Sequence, residues 1–274
     1  MIVKTLVEND SVGKSLGHEH GLSLYFDTER HRILFDMGAG SLFAENAKKM
    51  NVDLEIVDVA VISHGHSDHG GGLDTFLKIN SDARIYMNRR AFGGYYVRKP
   101  GEAEHYVGLD SNLLPNGRFV FVDEHLAVDG ELEFFSGVSG EKWRPSANGT
   151  LFAKKGDFFE QDDFSHEQNM ILTEKDKKIL VAGCAHNGIV NILERFRDTR
   201  GFLPTHVIGG FHLFNPSTGE SENEETIAGI AGYLMGTGAK FFTGHCTGSG
   251  PFEQLKGLMG DRIERIRAGS VLEF

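Results

Sequence analysis

Cysteine is scarce in this chain: two residues, Cys184 and Cys246, among 274. A domain stapled by disulfides carries more, and these two sit in dissimilar contexts, so the expected compartment is reducing and cytoplasmic. Long apolar runs are absent as well. No stretch of about 18 apolar residues offers a membrane span, and the opening MIVKTLVENDSVGKS lacks an apolar core of signal-peptide length. Positive charge is in deficit, with 28 Lys and Arg against 39 Asp and Glu, a net charge of −11. That balance argues against nucleic acid as a partner, because such binders show a basic face. It leaves room for a local basic pocket that takes an anionic small molecule. Internal repeats and low-complexity tracts are also missing.

Glycine, by contrast, is plentiful at 35 residues and clusters beside histidine. Apolar residues make up 40% of the chain, enough for a substantial core. MIVKTLVEN alternates as a strand does. GLSLYFDT and RHRILFDMG, with a polar turn from Glu29 to His31, read as a hairpin. SLFAENAKKM reads as a helix capped by Ser41, and DVAVIS as a buried strand followed by the helical GGLDTFLKI. The pattern then repeats. NMILTEKDKKILVAG is a second hairpin, and NGIVNILERFRD, THVIGG, SENEETIAGIAGYLMGTG, KFFTG and GPFEQLKGLMG alternate helix and strand. RIERIRAGSVLEF reads as a closing strand pair. Residues 88–165 mix short strands with irregular segments and read as an insertion or cap on one domain spanning 1–274. Two β-rich beginnings, each followed by mixed α/β units, fit an α/β fold of two facing sheets with helices outside.

Four times an apolar strand runs into Gly or Ser and then into histidine. AVISHGHSDHGGGLD carries His64, His66, Asp68 and His69. ILVAGCAHNG carries Cys184 and His186, HVIGGFHL carries His212, and KFFTGHCTG carries His245 and Cys246. A lone histidine in a strand-end loop is commonly structural. Four such ends on shared sheet edges would converge, and imidazole nitrogens with carboxylate oxygens bind zinc-like metals at about 2.0–2.2 Å. Alternation along H-x-H-x-D-H places His64, His66 and Asp68 on one side of an extended segment, with His69 at the turn. The same donors suit zinc and also iron, nickel or manganese. In the middle stretch, MNRRAFGGYYVRKPG brings Arg89, Arg90, Arg98 and Lys99 together with Tyr95 and Tyr96. This is a candidate phosphate contact, with Arg89 and Arg90 as the expected substrate-binding residues.

The HGHSDH segment resembles the H-x-H-x-D-H signature of the metallo-β-lactamase superfamily. With EHGLSLYF, GCAHNGIVN, GGFHL and GHCTG, the chain is similar to the branch of 7,8-dihydropterin-6-methyl-4-(β-D-ribofuranosyl)aminobenzene 5′-phosphate synthase-like proteins. The likeness spans nearly the whole chain and is weakest in the middle third. It implies a four-layer αββα sandwich with a binuclear metal centre at one edge of the sheets. It implies that His64 and His66 bind one metal, and Asp68, His69 and His245 the second. A third histidine serves the first metal in that superfamily, and a carboxylate after a strand often bridges the two. Here Cys184 stands after ILVAG, so Cys184, His186 and the more distant His166 are the candidates to complete the set. Redox members usually have glutamate where His66 stands, which points to the hydrolytic, zinc-type set.

The resemblance implies a hydrolase in which two metals activate a water against an anionic, phosphate-containing small molecule. Asp68 is then the candidate acceptor of the water's proton, and His212 a candidate acid–base or substrate-binding residue. His20 is a candidate substrate contact from an early loop. The branch name implies instead a transferase that condenses a dihydropterin methyl diphosphate with an aryl ribosyl phosphate. A non-catalytic metal-binding scaffold or sensor is the alternative from another class.

Overall fold

A computed structural model describes residues 1–274. The first sheet begins with β1 (Ile2–Val7), β2 (Ser23–Asp27), β3 (Arg32–Phe35), β4 (Val59–Ile62) and β5 (Arg84–Asn88). The chain then leaves it through β6 (Tyr95–Val97) and β7 (His105–Tyr106) and returns as β8 (Phe119–Val122). The second sheet opens with β9 (His125–Ala127) and β10 (Leu132–Phe135). After another excursion, β11 (Leu151–Lys155) and β12 (Phe158–Gln161), it continues as β13 (Asn169–Glu174), β14 (Lys177–Val181) and β15 (His206–Gly209). A small hairpin follows, β16 (Phe214–Asn215) and β17 (Glu220–Ser221), then β18 (Lys240–Thr243) and β19 (Ile263–Arg265). Finally β20 (Val271–Glu273) crosses back to the first sheet. The spatial orders are β20-β1-β2-β3-β4-β5-β8 and β19-β18-β15-β14-β13-β10-β9.

Each half follows the same rule. A hairpin is followed by parallel strands, β3-β4-β5 in one sheet and β14-β15-β18 in the other. Parallel neighbours need a crossover, and helices supply it. These are α1 (Leu42–Lys49), α2 (Ser67–Gly70) and α3 (Leu73–Ile79) on the first half, and α4 (Ile189–Arg200), α5 (Glu224–Thr237) and α6 (Ser249–Met259) on the second. The pleat divides each strand between two cores. Phe26, Phe35, Val59 and Val61 meet Phe134, Leu172, Val181 and Ile208 between the sheets. The alternate residues Leu34, Ala60 and Ile62 face Phe43, Leu73 and Phe76 of the helices. Leu180, Val207 and Phe241 do the same against α4, α5 and α6. Because both faces are covered, these strands carry no polar alternation, which is why they read as plain apolar runs. The result is the four-layer αββα sandwich. No helix is long and apolar enough to cross a membrane.

Three expectations change. The stretch 88–165 is not one insertion: β8 belongs to the first sheet, and β9 and β10 to the second. Only β6, β7, β11 and β12 leave the sandwich, forming an accessory sheet in the order β12-β11-β6-β7. The closing strands do not pair with each other, since β19 lies along β18 and β20 along β1. Ser41 precedes α1 but makes no side-chain cap. Its backbone is already helical (φ −88°, ψ −7°), whereas a capping hydroxyl needs an extended residue. Asn223 has that geometry, and its side chain accepts from Thr226 N–H at the start of α5.

Phe134 is fully buried and stacks on Tyr86 of the opposite sheet, 5.0 Å between ring centroids. Phe134→Ala opens a cavity at the centre of the inter-sheet core and should cost about 3–5 kcal/mol in urea unfolding. A loss below 1 kcal/mol would mean that the sheets close over the gap.

Candidate metal centre and cleft

The histidine-bearing loops all leave the carboxyl ends of parallel strands: β4 in the first sheet, β14, β15 and β18 in the second. Ligands of open α/β sheets gather at such ends. Here two sheets present theirs to each other. Gly183, after β14, lies so close to Ser63, after β4, that a Cβ would collide with the Ser63 hydroxyl. Gly65 likewise tucks the histidine loop against Ala91 O and the Tyr95 ring. The backbone is contorted at the site. Asp36, Ala185, His212 and His245 all adopt positive φ between 50° and 57°, a region non-glycine residues rarely enter. The motif is not extended throughout. After His64 and His66 the chain turns into α2, which brings Asp68 and His69 round on a helical turn.

His64, His66 and His186 offer ligand atoms within 4.8 Å of one another, and all three are buried. His64 Nε2 lies 3.3 Å from His186 Nε2. Beside them, His69 Nε2 lies 3.2 Å from His245 Nε2, 3.1 Å from Cys184 Sγ and 3.6 Å from Asp68 Oδ2. Asp68 Oδ2 is 3.3 Å from His245 Nε2.

In four of these five rings, all but His66, the other nitrogen is engaged. His69 Nδ1 bonds Asp36 Oδ2 at 2.6 Å, and His245 Nδ1 bonds Asn9 Oδ1 at 2.8 Å. His186 Nδ1 bonds Asn148 Oδ1 at 3.0 Å, and His64 Nδ1 bonds Ser63 Oγ at 2.8 Å. Asp36, Asn9 and Asn148 present acceptor oxygens, so those Nδ1 atoms donate, and a neutral ring then carries a bare lone pair on Nε2. Ser63 Oγ donates to Asp36 Oδ2 at 2.7 Å and is left to accept from His64. Four lone pairs therefore converge in two pairs 3.2–3.3 Å apart. With all four rings neutral that arrangement is repulsive unless a cation, a proton on His69 or a metal ion, lies among them, and it is how metal-binding imidazoles are oriented by their outer partners. The donor set fits metal ions on this ground.

His166, the alternative third histidine, has both nitrogens committed elsewhere. Nδ1 accepts from Gly65 N–H at 2.9 Å, and Nε2 lies 3.1 Å from Asp162 Oδ2. It supports the loop, and His186 occupies the place beside His64. His20 reaches Asp68 Oδ2 at 3.3 Å from the rim, its side chain 52% exposed. His212 is buried against His186, ring centroids 4.2 Å apart, and neither of its nitrogens has a partner. Arg89 and Arg90 do not line this cleft. They follow the end of β5 into a separate depression beside Asp123 and Glu124, where Arg89 pairs with Asp123 at 3.2 Å. Sequence reading missed Asp36, Asn9 and Asn148. Asp36 did leave a signal, a carboxylate closing the apolar run RILF; the two asparagines lie in irregular segments and left none.

A model of the metallo-beta-lactamase superfamily matches residues 16–217. The chain belongs to that superfamily. Among its relatives is the 7,8-dihydropterin-6-methyl-4-(beta-D-ribofuranosyl)-aminobenzene-5′-phosphate synthase of Methanocaldococcus jannaschii. It is 27% identical over 93% of this chain and 90% of the relative. Among solved structures, Tm1679, described as a metal-dependent hydrolase of the beta-lactamase superfamily, superposes with a TM-score of 0.81. It is 27% identical and covers 100% of this chain and 99% of its own. The Zn(2+)-bound PqqB of Methylobacterium extorquens shares the fold, with a TM-score of 0.57 at 12% identity and all of both chains covered.

Burial and neighbouring histidines hold His64 and His186 well below the usual imidazole range, so both rings are neutral and ready to coordinate. His69 differs. Burial opposes its charge, but the carboxylates of Asp68 and Asp36 outweigh burial and push it up to about 9. Burial pushes the Cys184 thiol up, so a thiolate there needs a cation beside it. The superfamily member free of metal thus carries a proton on His69 below about pH 9, and metal must displace it. Metal uptake at pH 7 should release protons, and apparent affinity should climb as pH rises toward 9. Calorimetry in buffers of different ionisation enthalpy reads this directly. Asp36→Ala should weaken metal affinity by about 10–100-fold, as loss of such an outer partner does.

Proposed function

We propose that the protein is a binuclear metal-dependent hydrolase acting on an anionic, phosphate-containing small molecule, in the cytoplasm. The observation that carries this reading is the juxtaposition of two donor sets at one cleft. His64, His66 and His186 form one set. Asp68, His69 and His245 form the other, and Cys184 Sγ lies 3.1 Å from His69 Nε2. Imidazole and thiolate donors favour zinc, with iron, nickel and manganese as weaker matches. Bound there, such ions act as Lewis acids that ready a water for attack and polarise the bond it attacks. The description of Tm1679 as a metal-dependent hydrolase supports the assignment.

The chain's own groups do the rest. Asp68, 21% exposed with His20 Nε2 3.3 Å from its Oδ2, accepts the proton that the attacking water gives up. His212 faces the cleft with unpartnered ring nitrogens and is placed to hand a proton to the leaving group.

Transfer is the second reading, favoured by the name of the Methanocaldococcus relative. The same residues would then favour departure of diphosphate while an aryl nucleophile replaces water. A scaffold or sensor without turnover has no use for a free His212 in an open cleft.

Purified protein should carry close to two equivalents of metal, and His66→Ala combined with Asp68→Ala should lose both metal and turnover. A wild-type protein that takes up no metal when supplied would overturn the proposal. His212→Gln should keep its metal and lose about 10²–10⁴ in kcat. A panel of phosphomonoesters, phosphodiesters, lactones and pterin diphosphates, each offered with and without an aryl ribosyl phosphate acceptor, separates hydrolysis from transfer by the product formed.

A further inference from the structure

The basic segment MNRRAFGGYYVRKPG is divided by the fold into three fates. Arg89 and Arg90 point to the separate depression. Arg98 is consumed by Glu104, with Nε 2.9 Å from the carboxylate. Lys99 alone of the four lines the cleft over the metal centre, and its ammonium has no hydrogen bond and no carboxylate partner. It stands exposed at the rim, while the histidines of the floor are buried.

The polar groups that face this cleft, about 290 Å³ in volume, sort sharply into used and unused. Asn215 is spent on the wall itself: its Nδ2 donates to Ala147 O and Thr150 Oγ1, both at 3.2 Å, and its Oδ1 accepts from Ser217 N–H at 2.9 Å. The hydroxyls of Ser67 and Ser217, the ring of His212 and the ammonium of Lys99 remain unused. All of these can donate. Asp68 is the one carboxylate in the lining, and it belongs to the metal centre. The lining is apolar at Val97, Val107, Ala147 and Leu151, with Val97 and Leu151 side by side on the paired strands β6 and β11. Lys99 can only donate and carries a positive charge, and no free carboxylate competes for it in the lining, so the cleft suits an anionic, acceptor-rich ligand.

Resting on the metal-dependent reading above, we infer that Lys99 determines specificity by holding a second anionic group of the substrate, remote from the bond that reacts. The substrate class is a molecule with two anionic ends joined by an apolar body. One end meets the metals on the floor. The other pairs with Lys99 at the rim, with Ser217 as a supporting donor.

The test uses two probes on metal-loaded protein, phenylphosphonate and 4-carboxyphenylphosphonate, which differ only in a remote carboxylate. Calorimetry on the wild type should show the carboxylated probe binding about fivefold tighter, the order expected of a partly exposed ion pair. Lys99→Ala should remove that advantage while leaving phenylphosphonate affinity and metal content unchanged. Lys99→Arg should retain it, and raised salt should shrink it. Equal binding of the two probes by the wild type, or an advantage that survives in Lys99→Ala, overturns the inference and leaves the metal-dependent reading standing. A metal-loaded wild type that binds neither probe overturns both.

Discussion

Asp36 is a carboxylate with no access to solvent, and the histidine cluster is arranged around it. An unpaired charge at such a depth costs several kcal/mol, so its oxygens must be filled. Ser63 fills them with its N–H and its hydroxyl, each at 2.7 Å, and His69 with Nδ1 at 2.6 Å. These bonds join the end of β3 to the end of β4 and to α2. They also fix which nitrogen of His69 is bare and, through Ser63 Oγ, which nitrogen of His64 is bare. Asn9 and Asn148 repeat the device for His245 and His186 from opposite sides. The centre is thus assembled from outside inward. Removing an outer acceptor frees a ring to turn, even though the ligand itself is untouched.

Much of the fold was legible because it is local. Hairpins announce themselves by two apolar runs and a polar turn, and GLSLYFDTERHRILF folds as that pattern says, pairing Leu24 with Phe35 and Phe26 with Ile33. The strand-end histidines were equally plain, since each follows its strand by a few residues. What sequence could not show is how far apart in space sequential neighbours can go. Arg89, Arg90 and Lys99 look like one basic patch, yet a turn after β5 and the accessory strand β6 send them to two different depressions. The closing strands looked like a pair for the same reason, and the register that separates them is set by partners more than 200 residues away along β1. Asn148 was illegible on other grounds: it lies on a short 3₁₀ turn in an irregular stretch, with no periodicity to mark it.

The superfamily sandwich supplies the floor of the cleft, and the accessory sheet supplies its character. β6, β11 and the hairpin of β16 and β17 bring Val97, Leu151, Asn215 and Ser217 over the buried histidines. Asn215 pins that hairpin to the 146–150 turn, which carries Asn148. The wall that meets a ligand and the bond that orients His186 therefore share one short segment. Variation of the wall without regard to this segment disturbs the histidine cluster too.

The crossing of β20 to the flank of β1 has a consequence for synthesis. The first sheet holds β1 to β5 and β8, all made before residue 123, yet its β1 edge acquires a neighbour only with residues 271–273. During the whole of the second sheet's translation that edge stands open, with bare N–H and C=O groups ready to pair with another nascent chain. The ribosome thus delivers the protective strand after every strand of the second sheet. A polysome crowded with this message is where strand exchange between copies would begin.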